Sequence, residues 1–177
     1  YVVGGVGLNG TGQGQIAITG VPSQSADTDI VAAYLYWQVV ASSSAGPDAG
    51  ALGVTFRGYP LSGIEGAYGK QLGTGSATCS TSGGGTGGSN GSKLNYSYRA
   101  DVLRFFDVAP AAPLGNGKTV VNGVHSVTVP VRNGIEPLGA SLVVVYRDPT
   151  RPLSAIVLYD GSYTMNQANE SMLQTLK

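Results

Sequence analysis

One histidine and one cysteine bound the chemistry open to this 177-residue chain. His125 is the sole imidazole, so a multi-histidine metal site is excluded, and Cys79 alone builds neither an internal disulfide nor a thiolate zinc site. A Ser-His-Asp triad would have to use His125, yet the run 124–131 places Val127 and Val129 on the same face, the setting of a satisfied core or surface residue rather than a base. Cys79 as a nucleophile needs that same histidine and an electropositive surrounding, which the Gly, Ser and Thr around it do not supply. Glu65, Glu136 and the aspartates show no spacing that singles out a carboxylate pair for glycoside hydrolysis. The expected catalytic set is therefore empty.

Two glycine patterns imitate site motifs. Gly5-Val-Gly-Leu-Asn-Gly10 has G-x-G-x-x-G spacing, but a dinucleotide site needs a helix next, and Gly12, Gly14 and the alternating Ile16 and Ile18 follow instead. It reads as a glycine-rich first strand and turn. Gly87-Gly-Ser-Asn-Gly91 matches G-x-S-x-G without a strand before it or a helix after it. Asp27 and Asp29, joined by Asp160, are candidate oxygen ligands for Ca²⁺, although turn formation is the commoner use of such aspartates. Ten tyrosines against three phenylalanines and one tryptophan offer ring faces to a sugar or a protein partner, with Tyr34 and Tyr36 on one strand face and Leu35 and Trp37 on the other. Asn-x-Ser/Thr sequons occur at Asn9, Asn90, Asn95 and Asn169.

The elements that carry these residues follow a period of two. Strands are predicted over 15–19, 30–40, 52–57, 94–98, 124–131, 140–147 and 153–159. The run 30–40 is apolar on both faces and reads as a central strand covered on both sides. Asn122-Gly123 predicts a two-residue type I′ turn that folds 120–121 back on 124–131. Residues 101–107 predict one short helix capped by Asp101, with Val102, Phe105 and Phe106 plugging the core. The tail 164–177 has mixed helical spacing and also suits a terminal strand. Loop insertions are expected at 41–50 and at 73–92, which contains Cys79. The fold class is all-β: a jelly-roll-like antiparallel β-sandwich of nine or ten strands in one domain spanning 1–177.

Ten Lys and Arg balance ten Asp and Glu, only 11% of residues are charged, and no stretch clusters the bases, which excludes an electrostatic nucleic-acid binder. The longest apolar run is about half of what a membrane-spanning helix needs. Low charge with abundant Gly, Ser and Thr suits an extracellular or cell-surface protein of bacterial or archaeal type, and Tyr1 in place of Met fits either a processed or a trimmed N-terminus.

Residues 31–37, 98–102, 139–146 and 156–161, in that order and preceded by Gly5-Val-Gly7, resemble the landmarks of an uncharacterised β-rich domain family of large secreted and cell-surface proteins of bacteria and archaea. The resemblance spans nearly the whole chain and implies location and architecture, with no catalytic residues to carry over. Members continue with further strands after the Tyr-Asp-Gly landmark, so the chain is expected to be a piece of a longer protein.

Two functions are in contention. One is a non-enzymatic structural or adhesive module, a subunit of a surface assembly or filament with other protein subunits, or copies of itself, as partners. Soluble monomers guard strand edges with lysine, yet only Lys70, Lys93, Lys118 and Lys177 occur and no Lys or Arg precedes Arg57, so Tyr1, Val2 and Val3 are the expected joint. The other is a secreted carbohydrate-binding or carbohydrate-active domain using tyrosines, carboxylates and calcium, with a glycan as its partner.

Overall fold

A computed structural model describes residues 1–22, 29–42, 50–61, 70–76, 93–107 and 121–161. Its longest element is β3 (Asp29–Ser42), whose alternation buries Ala33, Leu35, Trp37, Val39 and Ala41 and turns Tyr34, Tyr36 and Gln38 to the opposite face. β3 is central because both of its edges are paired: antiparallel to β7 (Lys93–Asp101) and to β9 (Ile135–Arg147). β1 (Val2–Gly7) pairs with the far side of β9, and β6 (Lys70–Ser76) with the far side of β7, completing a sheet of order β1-β9-β3-β7-β6.

The second sheet, β2-β8-β4-β5, comprises β2 (Gln13–Ile18), β4 (Thr55–Phe56), β5 (Tyr59–Pro60) and β8 (Gly123–Thr128). Ile16, Ile18, Phe56, His125 and Val127 from this sheet face Leu35, Trp37, Tyr98, Leu142 and Val144 from the other across one apolar core. Trp37 stacks on Tyr98 at 5.3 Å, and its Nε1 donates to the Gly50 carbonyl at 2.9 Å, so the indole is satisfied while buried. The fold is thus an antiparallel β-sandwich, with nine strands and one helical turn among the described residues. No helix among them is long and apolar enough to cross a membrane.

The single turn α1 (Arg104–Asp107) forms where Asp101 Oδ1 accepts from the Leu103 amide at 3.0 Å, and it sinks Phe105 and Phe106 into the end of the core as expected. Leu8 and Gly12 form the turn that carries the chain from β1 in one sheet to β2 in the other, with the Gly12 amide donating to the Leu8 carbonyl at 2.8 Å. Gly12 has φ +66, and a Cβ there would lie 2.2 Å from the Val129 carbonyl oxygen.

Several expectations are corrected. Asn122-Gly123 is not a hairpin turn. β8 pairs with β2 and β4, Asn122 does not have the positive φ that a type I′ turn requires, and the Asn122 carboxamide accepts from the Val21 amide at 3.2 Å and donates to the Val21 carbonyl at 2.8 Å. An amide side chain can stand in for a strand partner, and here it closes the end of the β2–β8 ladder. The positive φ at both central residues that a type I′ turn needs occurs at Arg57 and Gly58, 53° and 82°, joining β4 to β5. The sequence conceals this turn because arginine is disfavoured there; its Nη1 donates to the Phe105 carbonyl at 3.0 Å and its guanidinium lies 5.2 Å from the Phe106 ring centroid, contacts that offset the backbone cost.

The strand expected over 52–57 is reduced to the two residues of β4, following a turn at 50–53. Residues 153–159 belong to neither sheet. The insertions are narrower than expected, since 41–42 lie in β3 and 73–76 in β6, while 43–49 and 77–92, Cys79 among them, fall outside the described residues. So does the tail 164–177. β3 is buried on its inner face, but Tyr34, Tyr36 and Gln38 on its outer face are only half-buried.

Candidate functional site

Among the described residues, tyrosine, arginine and aspartate side chains meet on the outer face of the five-stranded sheet. Register sets Tyr36 of β3 opposite Arg99 of β7 and Tyr34 opposite Asp101, so period-two alternation directs Tyr34, Tyr36, Ser97 and Arg99 outward together. The Arg99 guanidinium lies 4.9 Å from the Tyr34 ring centroid. Asp160, arriving from beyond β9, accepts from the Tyr36 hydroxyl at 2.7 Å and forms an ion pair with Arg99. Burial, followed by the hydrogen bond and negative charge of Asp160, pushes the Tyr36 hydroxyl up to about 12, against the opposing pull of Arg99.

Beside this cluster is a groove of about 350 Å³ lined by Tyr36, Gln38, Leu72, Ser97, Ser141 and Gly161. It offers hydroxyls and a carboxamide on an open floor. Ahead of Asp160, residues 153–159 cross the surface with Leu153 at 95%, Val157 at 66% and Tyr159 at 54% exposure, while Ile156 and Leu158 are less exposed, at 41% and 39%. That alternation is the side-chain period of an extended chain.

Of the candidate calcium ligands, Asp29 and Asp160 are not brought together. Asp27 lies outside the described residues. Asp29 opens β3 in an ion pair with Arg147, and Asp160 is bound beside Tyr36, seven residues along the same strand and on the order of 20 Å away. Asp101 caps α1, and Asp148 accepts from the Thr150 hydroxyl at 2.6 Å and from its amide, bonds that hold the Asp148 carboxyl below its ordinary value. Glu136 is half-buried within β9, and Glu65 lies outside the described residues.

Of the core and surface positions open to it, His125 takes the core one, on the face it shares with Val127 and Val129. It lies edge-on to Phe106 at 5.1 Å and tilted against Phe56 at 5.9 Å, and its Nε2 bonds the Val121 carbonyl at 2.7 Å. Nδ1 is buried with no hydrogen-bond partner among the described residues. Burial, reinforced by the nearby Arg57 charge, holds the imidazole below its ordinary 6.5 despite the opposing Val121 bond, so it is neutral and donates through Nε2.

Of the expected joint, Val2 and Val3 pair with Val144 and Val143 in β1, so they form a sheet edge rather than a free arm, and Tyr1 is exposed. Of the sequons, Asn9 is in an exposed turn, whereas Asn95 is half-buried in β7 with Oδ1 fully enclosed, and Asn90 and Asn169 lie outside the described residues.

Motif searching missed the Tyr36, Arg99 and Asp160 cluster because its members come from three strand-like stretches with no common spacing. β9 supplies Gly139 and Ser141 to the same groove. Comparison with protein-family models, with curated proteins and with solved structures gives no match to this chain.

Proposed function

We propose that this domain is a non-enzymatic structural or adhesive module of the extracellular space or cell surface, working as a subunit of a surface assembly or filament. The observation that carries the reading is the stretch 153–159, where five large apolar side chains lie exposed within seven residues that join neither sheet. Scattered exposed apolar residues are ordinary on a monomer, but a contiguous patch marks a contact surface. The engaged carboxylates support the same reading, since Asp29, Asp101, Asp148 and Asp160 each serve an ion pair, a cap or a turn. The resemblance to surface-protein domains agrees in location.

Sedimentation of the full chain tests it: mass is expected to rise with concentration, and a monomer at every concentration overturns the reading. A second reading, a secreted carbohydrate-binding domain, draws on the groove floored by Tyr36, Gln38, Ser97 and Ser141, whose polar groups suit sugar hydroxyls. A monomer that binds a polysaccharide on a glycan array, and loses that binding on Tyr36→Ala, would establish this alternative.

A further inference from the structure

We propose that residues 153–159 are a donor strand that adds to the open edge of β1 in a second copy of this chain; the inference rests on the assembly reading above and names its joint. The acceptor follows from hydrogen-bond direction. The Leu8 amide donates to the Leu138 carbonyl at 2.9 Å, and residues of an antiparallel ladder alternate in the side to which they direct both backbone groups. Val2, Gly4 and Val6 therefore face β9, while Val3, Gly5 and Gly7 direct their N–H and C=O groups outward. Among the described residues no backbone hydrogen bond takes up those outward groups. The strand also lacks the lysine, proline or bulge that ordinarily protects such an edge.

The donor matches this edge in length, charge and shape. At about 3.4 Å per residue, six residues of β1 extend about 20 Å and seven residues of the donor about 24 Å. Neither Val-Val-Gly-Gly-Val-Gly nor Leu-Ser-Ala-Ile-Val-Leu-Tyr contains a charge or a proline, and the donor is bounded by Pro152 and Asp160. On the outer flank of the edge, Gly5 and Gly7 leave a shelf beside Val3, and a Cβ at Gly7 would meet nothing within 4 Å. Large side chains from an added strand, such as Ile156 and Leu158, fill that space as cross-strand neighbours.

The tether holds the end of the donor apart from its own β1. Asp160 is fixed to Tyr36 in β3 and Arg99 in β7, the second and third strands in from β1, about 10 and 14 Å from that edge at the usual strand spacing. The donor's end is therefore held away from its own β1. Donor and acceptor are different patches, so each chain can engage two neighbours, and the contact repeats into a ring or a filament unless two copies exchange donors reciprocally.

Val3→Lys blocks the acceptor and Val157→Lys the donor, both at exposed positions. In sedimentation of the full chain, each variant alone is expected to associate about tenfold more weakly or worse, because a lysine must be desolvated at the joint. Mixing the two restores dimers, since one chain keeps its donor and the other its acceptor, but no longer species. A short thiol cross-linker reads the same joint without added charge: Val3→Cys chains mixed with Ile156→Cys chains, both with Cys79→Ser, are expected to give a linked pair, since residue 156 shares the outer flank with Val3. Wild-type assembly that survives both lysine variants and gives no linked pair overturns the joint and leaves the assembly reading standing. A wild-type chain that is monomeric throughout overturns both.

Discussion

His125 makes the stability of this fold depend on pH. The neutral imidazole donates from Nε2 to the Val121 carbonyl, and a proton added at Nδ1 would place a charge between Phe56 and Phe106 with Arg57 as the nearby cation and no acceptor to receive it. Its folded pKa is therefore below the ordinary 6.5, and the unfolded chain binds the proton first on acidification. The stability from a neutral His125 is whole above 6.5 and declines as pH falls below it, with a limiting slope of about 1.4 kcal/mol per pH unit for one proton. His125→Phe is expected to flatten that part of the profile in urea unfolding between mildly acidic and neutral pH; equal acid slopes in the two proteins would remove the assignment. Tyr36 provides a second titration. Asp160→Ala removes the hydrogen bond and the negative charge, so the Tyr36 hydroxyl is expected to fall from about 12 part of the way toward 10. Ultraviolet titration read against Tyr36→Phe isolates that hydroxyl, and an unchanged value would mean that Asp160 does not hold it.

Between elements, β1 packs closely against β2 at Gly4. A Cβ on Gly4 would lie 2.4 Å from the Ala17 carbonyl oxygen and 2.9 Å from Ile16 Cγ2, whereas one on Gly7, in the same strand, meets nothing within 4 Å. Gly4→Ala is expected to cost about 1 to 3 kcal/mol through forced separation of the two sheets. Gly7→Ala is expected to be neutral or to stabilise by about 0.5 kcal/mol, since alanine loses less backbone freedom on folding. Urea unfolding of both in dilute solution checks the pair, and equal effects would show that the sheets do not close at Gly4. The β4–β5 turn and the Asn122 closure share one lesson about reading elements. Asn-Gly is the strongest hairpin signal in the chain, yet Asn122 was drawn to Val21 across the sheet, while the turn formed at Arg57-Gly58, where aromatic and carbonyl contacts hold arginine at positive φ.

Across the molecule, one core joins the sheets, and Trp37 is its natural reporter. It is the chain's only tryptophan, 2% exposed, stacked on Tyr98 within the five-stranded sheet and packed in the cluster that holds Ile16, Phe56 and Val127 of the four-stranded one. Neither sheet buries its inner face without the other, so they are expected to unfold together, with tryptophan fluorescence and far-ultraviolet circular dichroism tracing the same urea transition. Separate midpoints would show that the sheets are independent units.

The all-β class, the central strand with Trp37 inward, and the capped turn carrying Phe105 and Phe106 were all legible in the amino-acid order. Each depends on local periodicity or on a cap two residues away, and side-chain alternation does not need a known partner. Pairing depends on distant residues. Nothing near Asp160 indicates that it meets Tyr36 and Arg99, because 124 and 61 residues separate those partners and no spacing links them. Residues 153–159 have the composition of a buried strand, which composition alone cannot distinguish from an exposed one. Their state follows from where Asp160 is tied and from which sheet edges are already occupied, and both are properties of the assembled sandwich.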